Sequence, residues 1–189
     1  LPVNNLKEFV QYGKANQGQL NWASGGTTST QGLAGLMFSS AAGLQTMQIQ
    51  YKGSSQGMTD LLAGRVQFMF NPLPSVIAHV KSGKLKILGV ASTERLSAHP
   101  DIPVIADTVP GFNTAGWFAL VAPAGMPKDI VDRLNREIGE IIRNPEVRAS
   151  MIESGLEPKI MSPAEFGKMM SVDFAKYTKT FAEAGVKPE

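Results

Sequence analysis

Between Ser24 and Thr30 the chain reads Ser-Gly-Gly-Thr-Thr-Ser-Thr, five hydroxyls in seven residues with Gly25 and Gly26 among them. An apolar, strand-like run precedes this stretch and a helix-like run follows it. A strand that ends in such a turn and enters a helix presents free backbone N–H groups and the positive end of the helix dipole, a geometry that binds anions. A phosphate-binding P-loop also needs a lysine, and neither Lys nor Arg occurs from Ala15 to Tyr51. A nucleophile elbow of the Gly-x-Ser-x-Gly type needs glycine where Trp22 stands.

Catalysis finds no other foothold. The two histidines are His79, inside a helical run, and His99, next to Pro100, and neither has an activated partner in sequence. There is no cysteine, so thiol chemistry, disulfides and thiolate metal sites are excluded, and no cluster of His and carboxylates offers a metal site. Recognition without chemistry remains. Ser24, Thr27, Thr28, Ser29 and Thr30, with the N–H groups of Gly25 and Gly26, could bind a carboxylate by hydrogen bonds alone. Against that stands a plainer reading, in which Thr28 or Ser29 caps the helix and the glycines turn the chain.

Asn71 is the second candidate. It ends the apolar run Val66–Phe70, and Pro72 and Pro74 stiffen the turn after it. Ligands of open parallel sheets sit beyond the carboxyl ends of the strands, where the Asn71 amide can both donate and accept. It is equally a helix-entry residue of an Asn-Pro turn.

The elements that must position these residues follow from periodicity. Asn4 can cap a helix carrying Leu6, Phe9 and Val10; a strand is expected at Leu20–Ala23 and a helix from Ser29 to Ala42, stopped by Gly43. Met47–Tyr51 reads as a strand, and Ser54 or Ser55 as the cap of a short helix ending at Gly64. Val66–Phe70 and Leu85–Ala91 read as strands buried on both faces, with a helix between them closed by Gly83. Four strands alternating with helices over short connections predict a parallel sheet with right-handed crossovers over residues 19–92.

Beyond residue 97 the pattern changes. Pro100, Pro103, Pro110 and Gly111 forbid a long element. Ala115–Ala122 is strand-like, and Pro127 opens a helix with Ile130, Leu134, Ile138, Ile141 and Ile142 on one stripe. A further helix ends at Gly155. Ser162–Glu165 is a capping box for a last helix bearing Phe166, Met170, Phe174, Tyr177 and Phe181. The length, 189 residues, allows one large domain or two small lobes. No run reaches the length of a membrane span, and a net charge of +2 with no basic stripe argues against nucleic acid.

Taken in order, "YKGSSQGMTDLLAGRVQFMF", "NPLPS", "HVKSGKLKILGVAS", "PDIPVIADTVPGF", "WFALVAPAGMP", "IVDRLNREI", "NPEVRASMIESGLEP" and "SPAEF" resemble the Bug, or tripartite tricarboxylate transporter receptor, family of extracytoplasmic solute-binding proteins. The resemblance runs through essentially the whole chain. It implies an α/β fold of the type II periplasmic binding-protein class, whose two lobes close on a small organic acid or similar solute. It implies a periplasmic location, delivery of the solute to membrane transporter subunits, and no catalysis, cofactor or metal. By position, Ser24, Gly25, Gly26, Thr27, Thr28, Ser29, Thr30, Asn71 and Pro72 become the ligand-side residues. The chain departs from the family's usual pattern at three of its positions, where Gly is usual for Thr28, His frequent for Gly32 and Asp common for Asn71.

The family's opening strand and Pro/Gly-rich loop have no counterpart before Leu1. Residues 13–114 are therefore expected to form the second, ligand-side lobe, and residues 1–12 and 115–189 a hinge strand and helices of an incomplete first lobe. The apolar stripes of the last helices are then expected to be covered by a second copy of the chain, as a homodimer or domain swap, or by the chain's own lobe. Two rival functions remain at this point. An effector-binding domain of a transcription regulator shares the architecture, but no helix-turn-helix segment or basic patch is present. A serine hydrolase using Ser24 lacks a base.

Overall fold

The computed structural model describes residues 1–26, 29–114 and 116–183. It divides the chain into two compact units, Leu1–Gly116 and Trp117–Glu189.

Three parallel strands form the centre of the first unit: β1 (Leu20–Ser24), β2 (Thr46–Gln50) and β3 (Phe68–Met69), in the order β2-β1-β3. Trp22 is in register with Gln48 on one side and with Phe68 on the other. Alternation along β1 sends Leu20, Trp22 and Ser24 to one face and Asn21 and Ala23 to the other. Helix α2 (Thr30–Ala42) covers the first face. Its Gly35 lies so close to the Trp22 ring that a Cβ there would sit 2.2 Å from Trp22 Cζ3. Helix α3 (Ser54–Leu62) covers the second face, where Gly57 abuts Ala23, Tyr51 and Met69.

Helix α1 (Leu6–Ala15) starts at Asn5, not Asn4: the Asn5 side chain accepts from Glu8 N at 2.9 Å, and Glu8 Oε2 accepts from Asn4 N at 2.8 Å. It brings Phe9 against Phe38 and Phe68, with ring centroids 6.2 and 5.3 Å away. Val3, Leu6 and Phe9 share the buried cluster of Leu20, Trp22, Phe38, Phe68 and Phe112. Each fully buried side chain of this kind contributes about 1.5–3 kcal/mol. Residues 1–12 therefore pack on the sheet's own core, which differs from the sequence-based division that set them apart with residues 115–189.

The expected fourth strand is absent from this sheet among the described residues. Residues 85–91 are half-buried apart from the exposed Lys86, and Val90 pairs elsewhere. Val90 N donates to Pro103 O and Ile105 N to Val90 O, both at 2.9 Å, forming a parallel bridge of Val90 with Val104. Gly89 admits this neighbour, since a Cβ there would lie 2.9 Å from Ile105 Cγ1. Val90 thus has both of its backbone groups satisfied by residues 103–105. Helix α4 (Leu73–Lys81) follows β3 and ends before Gly83, as periodicity predicts.

The second unit is helical: α5 (Lys128–Arg143), α6 (Pro145–Glu153) and α7 (Pro163–Glu183). Asn144 caps α6, accepting from Glu146 N at 2.9 Å. The capping box forms as expected, with Ser162 N and Oγ donating to Glu165 Oε2 at 2.8 and 2.7 Å. Trp117 Nε1 donates to Asp173 Oδ2 at 2.8 Å, and its ring meets Phe166 edge-on at 5.0 Å. The strand expected at 115–122 is not formed among the described residues. Trp117–Ala122 forms no regular element, and its backbone makes no hydrogen bond among them. Phe174 is 75% exposed and Ile141 57%, whereas Ile138, Phe166 and Tyr177 are half-buried, so the apolar stripes legible in the sequence are covered only in part.

Candidate functional site

Because the three strands are parallel, their carboxyl ends share one edge of the sheet, and each leads into a helix there. Residues 25–29 connect β1 to α2, residues 51–53 connect β2 to α3, and residues 70–72 connect β3 to α4. None of the three helices carries an acid in its first turn. Side chains cap neither α3 nor α4, whose N-cap residues are Gly53 and Pro72. Three positive dipole ends thus point to one edge, in a region whose loops bear no acidic side chain to neutralise them.

The β1–α2 loop is held from beneath. Ser24 is completely buried, and its hydroxyl accepts from Gln48 Nε2 at 2.7 Å and from Gly26 N at 3.3 Å. Its own proton goes to Gly26 O, also at 3.3 Å. One donor and two acceptors are all a hydroxyl has. Among the described residues the Ser24 hydroxyl is thus fully engaged by Gln48 and by the loop's own backbone. Those bonded groups are an amide and a backbone unit, and neither takes up a proton.

Gly26 has φ of +130°, a conformation costly for any side chain, which explains the glycine. Ser29 then caps α2: its hydroxyl accepts from Gly32 N at 3.0 Å and donates to Gly26 O at 2.7 Å. Of the two plainer caps considered, Ser29 is the one the structure uses. Thr27 and Thr28 lie outside the described residues. What remains directed outward is the exposed Thr30 and the N–H groups of Gly25, Thr30 and Gln31, which make no hydrogen bond among the described residues.

Asn71 stands two residues past the end of β3, and β3 lies directly beside β1. Its half-buried side-chain amide has no hydrogen-bond partner among the described residues. Pro72 precedes α4 with φ of −57°, and Ser75 Oγ locks the turn by donating to Pro72 O at 2.7 Å. Two further segments reach this edge. Gly25 comes near the start of α3, where its Cβ would lie 3.9 Å from Ser54 N, and a Cβ on Gly116 would lie 3.1 Å from Thr30 Cγ2.

Sequence reasoning missed the residues that brace this edge. Gln48 is one; it is a polar residue at the centre of β2 on the face it shares with Trp22. Tyr51, Asp60 and Arg65 are the others. Tyr51 OH donates to Asp60 Oδ2 and Arg65 Nη1 to Asp60 Oδ1, each at 2.8 Å. Those bonds hold the Asp60 carboxyl below its ordinary range, and the Asp60 hydrogen bond pushes the Tyr51 phenol up. In the second unit a groove of about 440 Å³ lies beside Met126, Val131 and Pro163, where the charged side chains Lys128 and Asp132 are paired with each other.

Parallel-strand ends and helix starts that converge on one edge form the ligand-binding edge of open α/β sheets. A family model described as the tripartite tricarboxylate transporter family receptor matches residues 1–186, and the chain belongs to that family. Its relatives include a UPF0065 protein of Bordetella bronchiseptica, 30% identical over 98% of this chain and 55% of that protein. Among solved structures, R. palustris Rpa4515 with adipate superposes with a TM-score of 0.92 at 28% identity, over 100% of this chain and 64% of that one. The periplasmic binding protein BugD gives a TM-score of 0.86 at 28% identity, over 100% of this chain and 64% of that one. The chain thus spans about half the length of the curated relative it matches.

Proposed function

We propose that this chain supplies the ligand-side lobe of a periplasmic receptor that captures a small carboxylate and delivers it to a tripartite tricarboxylate-type membrane transporter, without catalysing a reaction. The observation that carries the reading is the convergence of three acid-free helix starts and the unpartnered Asn71 amide on one sheet edge. The contacts assigned to the ligand are the N–H groups of Gly25, Thr30 and Gln31, the Thr30 hydroxyl and the Asn71 amide, with Ser24, Gly26, Ser29 and Pro72 shaping the loops. A carboxylate bound this way needs no lysine or arginine, because charge-assisted hydrogen bonds to helix-terminal N–H groups suffice. The adipate accompanying Rpa4515 supports a dicarboxylate.

Loops without lysine or arginine around Asn71 and the β1–α2 turn favour a mono- or dicarboxylate, or a neutral polar solute, over a polyanion. Thermal-shift screening against mono-, di- and tricarboxylates and neutral solutes tests this. Stabilisation by adipate or a smaller acid is expected. Preference for a tricarboxylate over every smaller acid would contradict the specificity, and stabilisation by nothing in the panel would contradict capture itself. We assign residues 117–189 to elements that pair with a surface outside their own unit. For the chain alone that surface is a second copy, which would bury the exposed apolar side chains of Phe118, Leu120 and Val121.

A further inference from the structure

Gln48 lies on β2, remote in sequence from every residue assigned to the ligand, yet its amide is bonded to the base of the β1–α2 loop. We propose that Gln48 is a positioning residue for the ligand loop, acting through the buried hydroxyl of Ser24. The inference rests on the reading of that loop as the carboxylate site.

Strand register makes the contact. Trp22 pairs with Gln48, so the Gln48 side chain emerges on the face shared by Trp22 and Ser24 and reaches along β1 past its own partner pair. There Nε2 donates to Ser24 Oγ at 2.7 Å, the shortest of the three bonds to that oxygen. The donation fixes the direction of the next bond. A hydroxyl that accepts from an amide N–H must turn its single proton elsewhere, and the acceptor in reach is Gly26 O. Gly26 O also takes the Ser29 hydroxyl proton, and Ser29 Oγ in turn accepts from Gly32 N. One relay thus runs from Gln48 through Ser24, Gly26 and Ser29 to the first turn of α2. It sets where the N–H groups of Gly25 and Thr30 point.

The neighbouring residue on the same strand face has a different task. Thr46 Oγ1 accepts from Trp22 Nε1 at 3.1 Å and is hydrogen-bonded to Ser39 Oγ at 2.7 Å, which ties sheet to helix within the core. The Gln48 amide instead donates to the loop. A Gln48→Met substitution keeps the length of the side chain and removes the donor, so it separates packing from polarity.

The test is a double-mutant cycle with Gln48→Met and Ser24→Ala, read in two ways. The first is hydrogen exchange of the Gly26 amide without ligand; the second is adipate affinity from an NMR titration. The proposal expects Gln48→Met to speed Gly26 exchange and weaken adipate by about five- to tenfold, the scale of one lost buried hydrogen bond. The double variant should then be no worse than Ser24→Ala alone. Unchanged exchange in Gln48→Met, or effects that add in the double variant, would overturn it. If adipate binds to neither wild type nor variant while the exchange cycle behaves as expected, the carboxylate reading fails and the positioning of the loop by Gln48 stands.

Discussion

The Tyr51 hydroxyl donates to Asp60 Oδ2 at 2.8 Å and so ties the residue that leaves β2 to the later turns of α3. Arg65 closes the arrangement from the other carboxylate oxygen. The turn they enclose carries Gly53 and Ser54, the start of the helix nearest Gly25.

This clamp gives stability a defined pH dependence. The folded pKa of Asp60 is depressed, so its contribution is present above the ordinary carboxylate range and is lost as pH falls through the folded value. Glu165, held low by the Ser162 backbone and side-chain bonds, acts in the same direction in the second unit. The raised Tyr51 pKa works on the other limb, where stability is lost as pH rises above the ordinary tyrosine range. Thermal unfolding across pH should show both limbs. Asp60→Asn should flatten the acid limb and return the alkaline limb towards ordinary tyrosine behaviour; unchanged limbs would contradict the clamp.

Gly35 predicts a large core effect from a small change. A methyl group at this position meets three Trp22 ring carbons at 2.2–2.5 Å, and an indole packed against Phe68 at 6.0 Å has nowhere to retreat. Gly35→Ala should destabilise the first unit by about 1–3 kcal/mol, the usual scale of overpacking. Urea unfolding followed by tryptophan fluorescence measures it. A neutral or stabilised variant would mean that α2 sits farther from the sheet.

Asn71 predicts a charge effect on binding. Replacing its amide by a carboxylate places a negative charge beside the assigned anion, so Asn71→Asp should weaken dicarboxylate binding at least tenfold, or about 1.4 kcal/mol. Asn71→Ala should cost less than Asn71→Asp, because it removes a donor without adding repulsion. Equal affinities in all three proteins, by calorimetry, would remove Asn71 from the site.

The exposed apolar side chains of Phe118, Leu120 and Val121 predict self-association of this chain. Phe118→Asp should lower the apparent mass in light scattering at concentrations where the parent chain associates. A parent chain monomeric throughout would show that these side chains need no partner.

Much of the site was legible in sequence because its logic is local. A strand, two glycines and a hydroxyl at the helix start read as a loop over an N-terminus, and Ser29 does cap there. The parallel sheet was legible from alternation of strand and helix. What failed was long-range. Residues 85–91 have the composition of a buried strand, but the backbone of Val90 pairs with residues 103–105, a choice made by tertiary packing. The burial of Ser24 and the reach of Gln48 depend on register between β1 and β2, which a hydrophobic pattern sets only to within a face. The place of α1 followed from Phe9 meeting Phe38 and Phe68, contacts that no local signal encodes.

The central claim is that the carboxyl edge of the three-stranded sheet binds a small carboxylate. Its most direct measurement is a titration of the 15N-labelled chain with adipate, followed amide by amide. The account predicts saturable shifts at Gly25, Thr30, Gln31 and the Asn71 side-chain amide, with weaker ones at Ser54. Shifts confined to the groove beside Met126 and Pro163, or no saturable shift at that edge, would contradict it.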